Sequence, residues 1–316
     1  MTAGAHAGLI DLAAADLGGR ALIANDEFFA PKENLLKPGR GVAAPDKYTS
    51  HGWWMDGWET RRRRTPGHDW CIIRLGTRGV IRAVTVDTNH FKGNHPAACS
   101  LDGAIIMRQI APARLARLRH VWMELLPTTP LEGHAENHFE IGNDTLVSHL
   151  RLNIYPDGGV ARLRIWGEAR PDWRKLAKDK RPIDLAAALH GGAPLRSSDE
   201  FFGRPDRLIM PGRPVNMGDG WQTRRRRGPG HDWVILRLGA RGVIETIEVD
   251  TTHFKGNFPE GFTLEACDAP AVSSRDAPGD GTSWWEVLPR TPLKAHRRHR
   301  FRTATPRAAT HVRFNI

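Results

Sequence analysis

Cysteine is scarce, with three in 316 residues. That number is odd and too small for a disulfide framework, so a reducing cytosol is expected. Tyrosine is scarcer still, at two. No apolar run approaches the roughly 18 residues a membrane helix needs, and mean hydropathy is −0.46. The opening stretch MTAGAHAGLIDLAAADLGG has no basic region, and acidic residues interrupt its apolar part, so no secretory signal is expected. These shortages argue against membrane spans and secreted disulfide scaffolds. What is present is globular: 40% hydrophobic and 26% charged residues, with 32 Gly and 22 Pro to supply turns. At about 150 residues per domain, the length predicts two domains.

The formal net charge of +11 raises the question of nucleic acid. Two arginine quartets, Arg61–Arg64 and Arg224–Arg227, supply eight positive charges, and without them the excess falls to three. The basicity is local. Single-strand binding would want interleaved exposed aromatics, and duplex reading would want a basic helix. Neither is evident, so no nucleic-acid partner is expected.

The chain is one unit written twice. IDLAAADLGG (10–19) returns as IDLAAALHGG (183–192), and NDEFFA (25–30) as SDEFFG (198–203). DGWETRRRRTPGHDWCIIRLGTRGVI (56–81) returns as DGWQTRRRRGPGHDWVILRLGARGVI (219–244), identical at 21 of 26 positions. VDTNHFKGN (86–94) returns as VDTTHFKGN (249–257), and SHLRLNI (148–154) as THVRFNI (310–316). Repeat one is assigned to residues 9–170, a charged linker to 171–182, and repeat two to 183–316. Repeat one continues past Ile154 with YPDGGVARLRIWG and repeat two does not, so repeat two is read as lacking its last strand, either because the chain is truncated or because the unit does without it. An uncovered sheet edge is the expected consequence, beside the neighbour of the RFNI strand, either exposed or covered by another subunit or by repeat one.

Periodicity points to strands. Val84 and Val86 flank Thr85. Leu150, Leu152 and Ile154 alternate with polar residues, as do Ala161, Leu163 and Ile165. Alternation over short runs bounded by Gly, Pro and Asp describes half-buried antiparallel strands. The one helical-looking stretch is ARLARLRHVWMELL (113–126), and its second half aligns with a strand-like segment of repeat two. The fold class expected is all-β, two tandem jelly-roll β-sandwich repeats.

The densest polar constellation is DGWETRRRRTPGHDW. It joins Glu59, four guanidinium groups, a Pro-Gly turn, His68 and Asp69. Guanidinium binds a carboxylate bidentately, so the segment suits a small anion. In an extended chain alternate arginines face opposite ways, so Arg61 and Arg63 cannot do the job of Arg62 and Arg64. His68 beside Asp69 suggests an acid–base pair. The bland alternative is a solvated loop or a subunit interface. His68, His90 and His149 recur as His231, His253 and His311, yet no short-spaced metal motif accompanies them. The cysteines do not recur and are read as non-functional. No cofactor is implied, and a divalent metal built from scattered ligands stays open. Glu59 becomes Gln222 in repeat two, which keeps shape but cannot take a proton near neutral pH.

Duplicated units carrying IDLA, DEFFA, DGWETRRRR, PGHDW, DT-HFKGN and RLNIYPDGGVARLRIWG resemble the allantoicase family over nearly the whole chain. The resemblance implies galactose-binding-like jelly rolls, a homo-oligomer in the cytoplasm, and hydrolysis of allantoate to ureidoglycolate and urea in purine degradation. On that basis arginines among Arg61, Arg62 and Arg63 hold the substrate carboxylate, with Glu59 or Asp69 as base and His68 or His90 as acid. Asn94, Asn153 and Arg162, with Arg151 beside them, are candidates for the ureido groups. Departures from the family pattern are Gln222 and the missing tail of repeat two. The alternatives are a non-catalytic sandwich that binds a small ligand or carbohydrate, and a hydrolase of another ureido compound.

Overall fold

The computed structural model describes residues 6–304 and 306–316. Its first compact unit, Asp11–Pro171, is built around one long strand. In chain order the strands are β1 (Ile10–Asp11), β2 (Arg20–Ala24), the small hairpin β3 (Tyr48–Thr49) and β4 (Gly52–Trp53), and β5 (Trp58–Glu59). The long strand β6 (Asp69–Asp87) follows, then β7 (Ala98–Ala104), β8 (Met123–Pro130) and β9 (Glu136–Glu140). The unit closes with β10 (Leu146–Tyr155), β11 (Gly159–Val160) and β12 (Arg162–Ala169).

The first half of β6 pairs with β2 and β10, and its second half with β9 and β12. Between the halves the register with β10 slips, Val147 lying opposite Gly79 but His149 opposite Arg74. Such a bulge bends a strand and increases its twist, which lets β6 take part in both layers of the sandwich. Inward residues follow the period of two: Val84 and Val86, Leu150, Leu152 and Ile154, Leu163 and Ile165 are all buried. β12 departs from the half-buried expectation. Its other face is buried too, because Asp56 meets Arg162 at 2.6 Å and balances its charge. The helical-looking stretch divides as its repeat alignment suggests, into a short helix Pro112–Arg117 and the strand β8.

The second unit spans Asp172–Ile316 and takes in the described N-terminal residues up to Ile10. It contains β13 (Ala193–Ser197), β14 (Trp233–Val243), β15 (Thr246–Asp250), β16 (Gly261–Cys267), β17 (Trp285–Pro292), β18 (Arg298–Arg302) and β19 (Ala308–Asn315). One sheet runs β13-β14-β19-β16-β17, and β15 pairs with β18 in a separate layer. The RFNI strand β19 is therefore internal, flanked by β14 and β16. The open edge belongs to β15, which continues the line of β14. Among the described residues no counterpart of β12 lies against it. Both units are all-β, as the two tandem jelly-roll repeats read from the sequence require.

Candidate active site

Glu59 is held by its backbone on both sides. Its N–H donates to the carbonyl of Ala30 at 3.2 Å, and on the other side it pairs with Gly159 of β11. The loop after β6 is pressed onto this ladder by Phe91, whose ring occupies the space a Cβ would need at Gly57 and Gly159. Glycine at both positions is thus a requirement of close packing. The same loop brings Asn94 across. Its carbonyl accepts the N–H of Gly159 at 2.8 Å, and its Nδ2 donates to Glu59 Oε1 at 2.7 Å. Glu59 is buried and forms no ion pair among the described residues. Burial pushes its carboxyl above the usual range, and the hydrogen bond from Asn94 works against that rise.

The quartet alternates as an extended chain must. Arg61 pairs with Asp26 at 2.7 Å and lies over the ring of Phe28. Arg63 pairs with buried Asp69 at 2.5 Å, and its backbone N–H donates to Asp157 at 2.7 Å. Arg62 and Arg64 are exposed, with no ion pair among the described residues. Arg61 and Arg63 are thus held by carboxylates, and Arg62 and Arg64 have none among the described residues. The buried Nε of Arg63 has no hydrogen-bond partner.

A second polar group lies on one face of β7 and β10. Arg151 stands opposite Asp102 and Asn153 opposite Ser100. Arg151 donates to Asp102 Oδ2 through Nε and Nη2 at 3.0 and 2.9 Å. Asn153 Nδ2 donates to the same oxygen at 2.9 Å and to Ser100 Oγ at 3.0 Å, and its Oδ1 is buried with no partner. The Tyr155 hydroxyl lies 2.9 Å from Ser100 Oγ, and the ring of His68 packs on Tyr155 at 4.8 Å.

The expected residues thus fall into separate sets. Glu59 and Asn94 are brought together, as are Arg151 and Asn153 through Asp102. His68 and Asp69 do not form a pair. Neighbours on an extended chain diverge, and the Asp69 carboxylate is taken by Arg63 and by Asn25 Nδ2 at 2.7 Å. His90 sits at φ 69° with its backbone N–H donating to His134 Nδ1 at 2.9 Å. Arg162 is buried on Asp56, with its Nη1 also donating to the Asp56 carbonyl at 2.8 Å. Sequence reasoning missed Asp26 and Asp102. The signal for Asp26 was available, since it recurs as Asp199 within the DEFF repeat. Among the described residues no three His, Cys, Asp or Glu side chains are grouped to hold a metal.

Repeat two reproduces the scaffold without the carboxylate. Arg224 pairs with Asp199 and Arg226 with Asp232, each at 2.7 Å, while Arg225 and Arg227 are exposed. Glu265 holds Arg313 and Asn315 as Asp102 holds Arg151 and Asn153. Gln222 stands where Glu59 does, but Asn257 points its Nδ2 to the sulfur of Met217 at 3.2 Å.

Comparison with known proteins fits this duplication. A family model described as "Allantoicase repeat" matches residues 10–170 and again 183–316. "Probable allantoicase 2" of Burkholderia mallei is 45% identical over 309 residues, covering 97% of this chain and 90% of that protein. "Probable allantoicase" of Rhizobium meliloti is 45% identical over 315 residues, covering 98% and 90%. A crystal structure of allantoicase from Saccharomyces cerevisiae superposes with a TM-score of 0.82 at 32% identity, covering 98% of this chain and 89% of that one.

Proposed function

The chain belongs to the allantoicase family, and from that premise we propose that it releases urea from allantoate at repeat one, with Glu59 moving the proton. Allantoate carries a carboxylate and two ureido arms on one carbon. Hydrolysis adds a water oxygen to that carbon, breaks one C–N bond, and leaves ureidoglycolate and urea. The water must lose a proton and the departing nitrogen must gain one, so a single carboxylate can carry the proton from one to the other. The observation behind this assignment is Glu59 itself. It is buried, free of any cation among the described residues, and shifted upward toward the working pH. Asn94 orients it.

The substrate carboxylate falls to Arg62 and Arg64, because Arg61 and Arg63 are committed to Asp26 and Asp69. Asn153 offers an unused carbonyl oxygen to a ureido N–H, and Arg151 beside it is half-exposed. His68, packed on Tyr155, is the histidine assigned as a second proton donor. Asp69 and Arg162 are assigned structural roles, since each is spent in a buried ion pair. The protein is assigned to the cytoplasm, a reading supported by three buried free thiols, and the homo-oligomer is assigned from the family alone. Pairing of half of each quartet with aspartate argues against a nucleic-acid surface.

The test is direct. Purified protein is incubated with allantoate, with and without added divalent metal, and urea is measured. Steady urea release is expected. Binding of allantoate without urea under either condition would favour the ligand-binding sandwich.

A further inference from the structure

Among the described residues, four that are not glycine have positive φ, and all four are histidines: His90 at 69°, His134 at 56°, His253 at 73° and His296 at 50°. They form two matched pairs, one in each repeat. The left-handed region costs free energy for a residue with a Cβ, so such a residue stays there only where its surroundings require it. His134 is itself exposed, so core packing does not hold it. Two hydrogen bonds do. Its Nδ1 accepts the backbone N–H of His90 at 2.9 Å, and its own N–H donates to the carbonyl of Phe91 at 3.0 Å. The nitrogen that accepts carries no proton, which places the proton of the neutral imidazole on Nε2.

These bonds tie the loop between β8 and β9 to the loop after β6, which carries Asn94. Thr88 adds to the join, its Oγ1 donating to the Glu132 carbonyl at 2.6 Å and accepting the N–H of Ala135 at 3.1 Å. The ring of His95 and the carbonyl of Lys92 press on Gly133, where a Cβ would have no room. Residues 88–95 are thus gripped on one side by residues 132–135, and on the other they rest through Phe91 on Gly57 and Gly159. Asn94 lies within this doubly held loop, and its Nδ2 reaches Glu59 at 2.7 Å. Repeat two builds the same grip. His296 Nδ1 accepts the N–H of His253 at 2.9 Å, and its own N–H donates to the Phe254 carbonyl at 3.0 Å. There Gln222 stands in place of the carboxylate, so repeat two is an internal control.

We propose that His134 is a positioning residue for turnover, acting through Asn94: it holds the loop after β6 so that the Asn94 amide meets Glu59. The inference rests on Glu59 as the proton carrier of repeat one. What the position requires is an acceptor bonded to Cγ, on a residue that tolerates positive φ. Asparagine also offers both, with its amide oxygen standing where Nδ1 does. Glycine offers the backbone conformation alone.

The experiment compares His134→Gly, His134→Asn and His296→Gly in the full chain, with allantoate as substrate. In His134→Gly, kcat is expected to fall by about 10- to 100-fold, the scale of a misplacement of about 1 Å, with KM little changed. His134→Asn should restore most of it. His296→Gly removes the same hydrogen bond in repeat two and should lower the melting temperature as much as His134→Gly does, yet leave kcat alone. In an Asn94→Ala background, adding His134→Gly should cost less than about twofold more, because residues that act as one unit are not additive. Hydrogen exchange at Gly159, whose N–H donates to the Asn94 carbonyl, should quicken in His134→Gly and not in His134→Asn. The proposal is overturned by normal kcat in His134→Gly while Glu59→Gln is inactive, by a loss that His134→Asn does not rescue, by an equal loss in His296→Gly, or by full additivity with Asn94→Ala. Turnover indifferent to Glu59→Gln overturns the Glu59 reading and, with it, the catalytic part of this one. Quickened exchange at Gly159 would still uphold the grip on Asn94, and unchanged exchange would overturn it.

Discussion

The two repeats share a scaffold and differ at a few side chains. Both anchor alternate arginines of a quartet on aspartates, and both hold an asparagine and an arginine on one carboxylate across two strands. Among the described residues, the buried Glu59 touched by Asn94 in repeat one has no counterpart in repeat two, where Gln222 takes its place. The contacts common to both repeats are the ones the duplicated sequence maintains.

The largest expected effect comes from making repeat one imitate repeat two. Glu59→Gln retains the side-chain shape and an acceptor for Asn94, but it cannot carry a proton. Turnover of allantoate should fall by about 10²- to 10⁴-fold, the usual contribution of a positioned acid or base. Melting temperature should stay within a degree or two, because no ion pair is broken. Retention of more than about a tenth of the activity would remove Glu59 from the mechanism and put the proton transfer on a histidine, with His68 first in line.

The next contrast is energetic. Arg162→Met leaves Asp56 buried without its main partner, and loss of one member of a buried pair costs about 3–5 kcal/mol. Lys37, 3.6 Å from the other oxygen of Asp56, keeps the expected loss toward the lower end. The matched carboxylate of repeat two stands without a cation already, so Asp219→Asn should change stability by less than about 0.5 kcal/mol. Chemical denaturation of the two variants measures the difference. Equal losses would mean that the Arg162 pair does not support repeat one.

Much of this was legible in the sequence, and the reasons differ by residue. The duplication, the all-β class and the strand cores follow from repetition and from a period of two, which depend on nothing distant. The alternation of the quartet followed from extended geometry alone. The Glu59-to-Gln222 difference was visible because the repeats could be read against each other. The partner of Glu59 was not, since Asn94 lies 35 positions away and reaches it only because Phe91 seats on two glycines. Asp69 and Arg162 drew attention as charged groups in a dense motif, and the fold shows each in a buried ion pair. Charged groups in a dense motif can serve a ligand or each other, and the sequence does not show which pairs form.

Acid sensitivity should be common to both repeats. His149 faces Arg74 across the strands, and His311 faces Arg237 in the same way. Burial, with the charge of these arginines, lowers each histidine to about 4. The native state therefore keeps both neutral where the unfolded chain, titrating near 6.5, takes up protons. Their contribution is intact above about pH 6.5, is lost as pH falls, and stops changing below about 4. Melting temperature should decline between pH 7 and 5, and His149→Gln or His311→Gln should each flatten the slope. A decline unchanged in the double variant would place the acid sensitivity elsewhere.

The smallest expected effect is the most exacting test of the comparison. Gln222→Glu gives repeat two the carboxylate it lacks, so a carboxylate-only account of catalysis predicts a second working site. The surroundings argue otherwise. Asn257 is turned to the sulfur of Met217, and the half-exposed position gives less burial to raise a carboxyl. The new glutamate should ionise as an ordinary surface group and leave turnover within about twofold, well short of a positioned acid or base. The cleanest background is Glu59→Gln, where residual activity is low and any gain is visible. If the double variant Glu59→Gln with Gln222→Glu recovers more than about a tenth of wild-type turnover, the asparagine contact is dispensable. The difference between the repeats would then reduce to a single proton-bearing side chain.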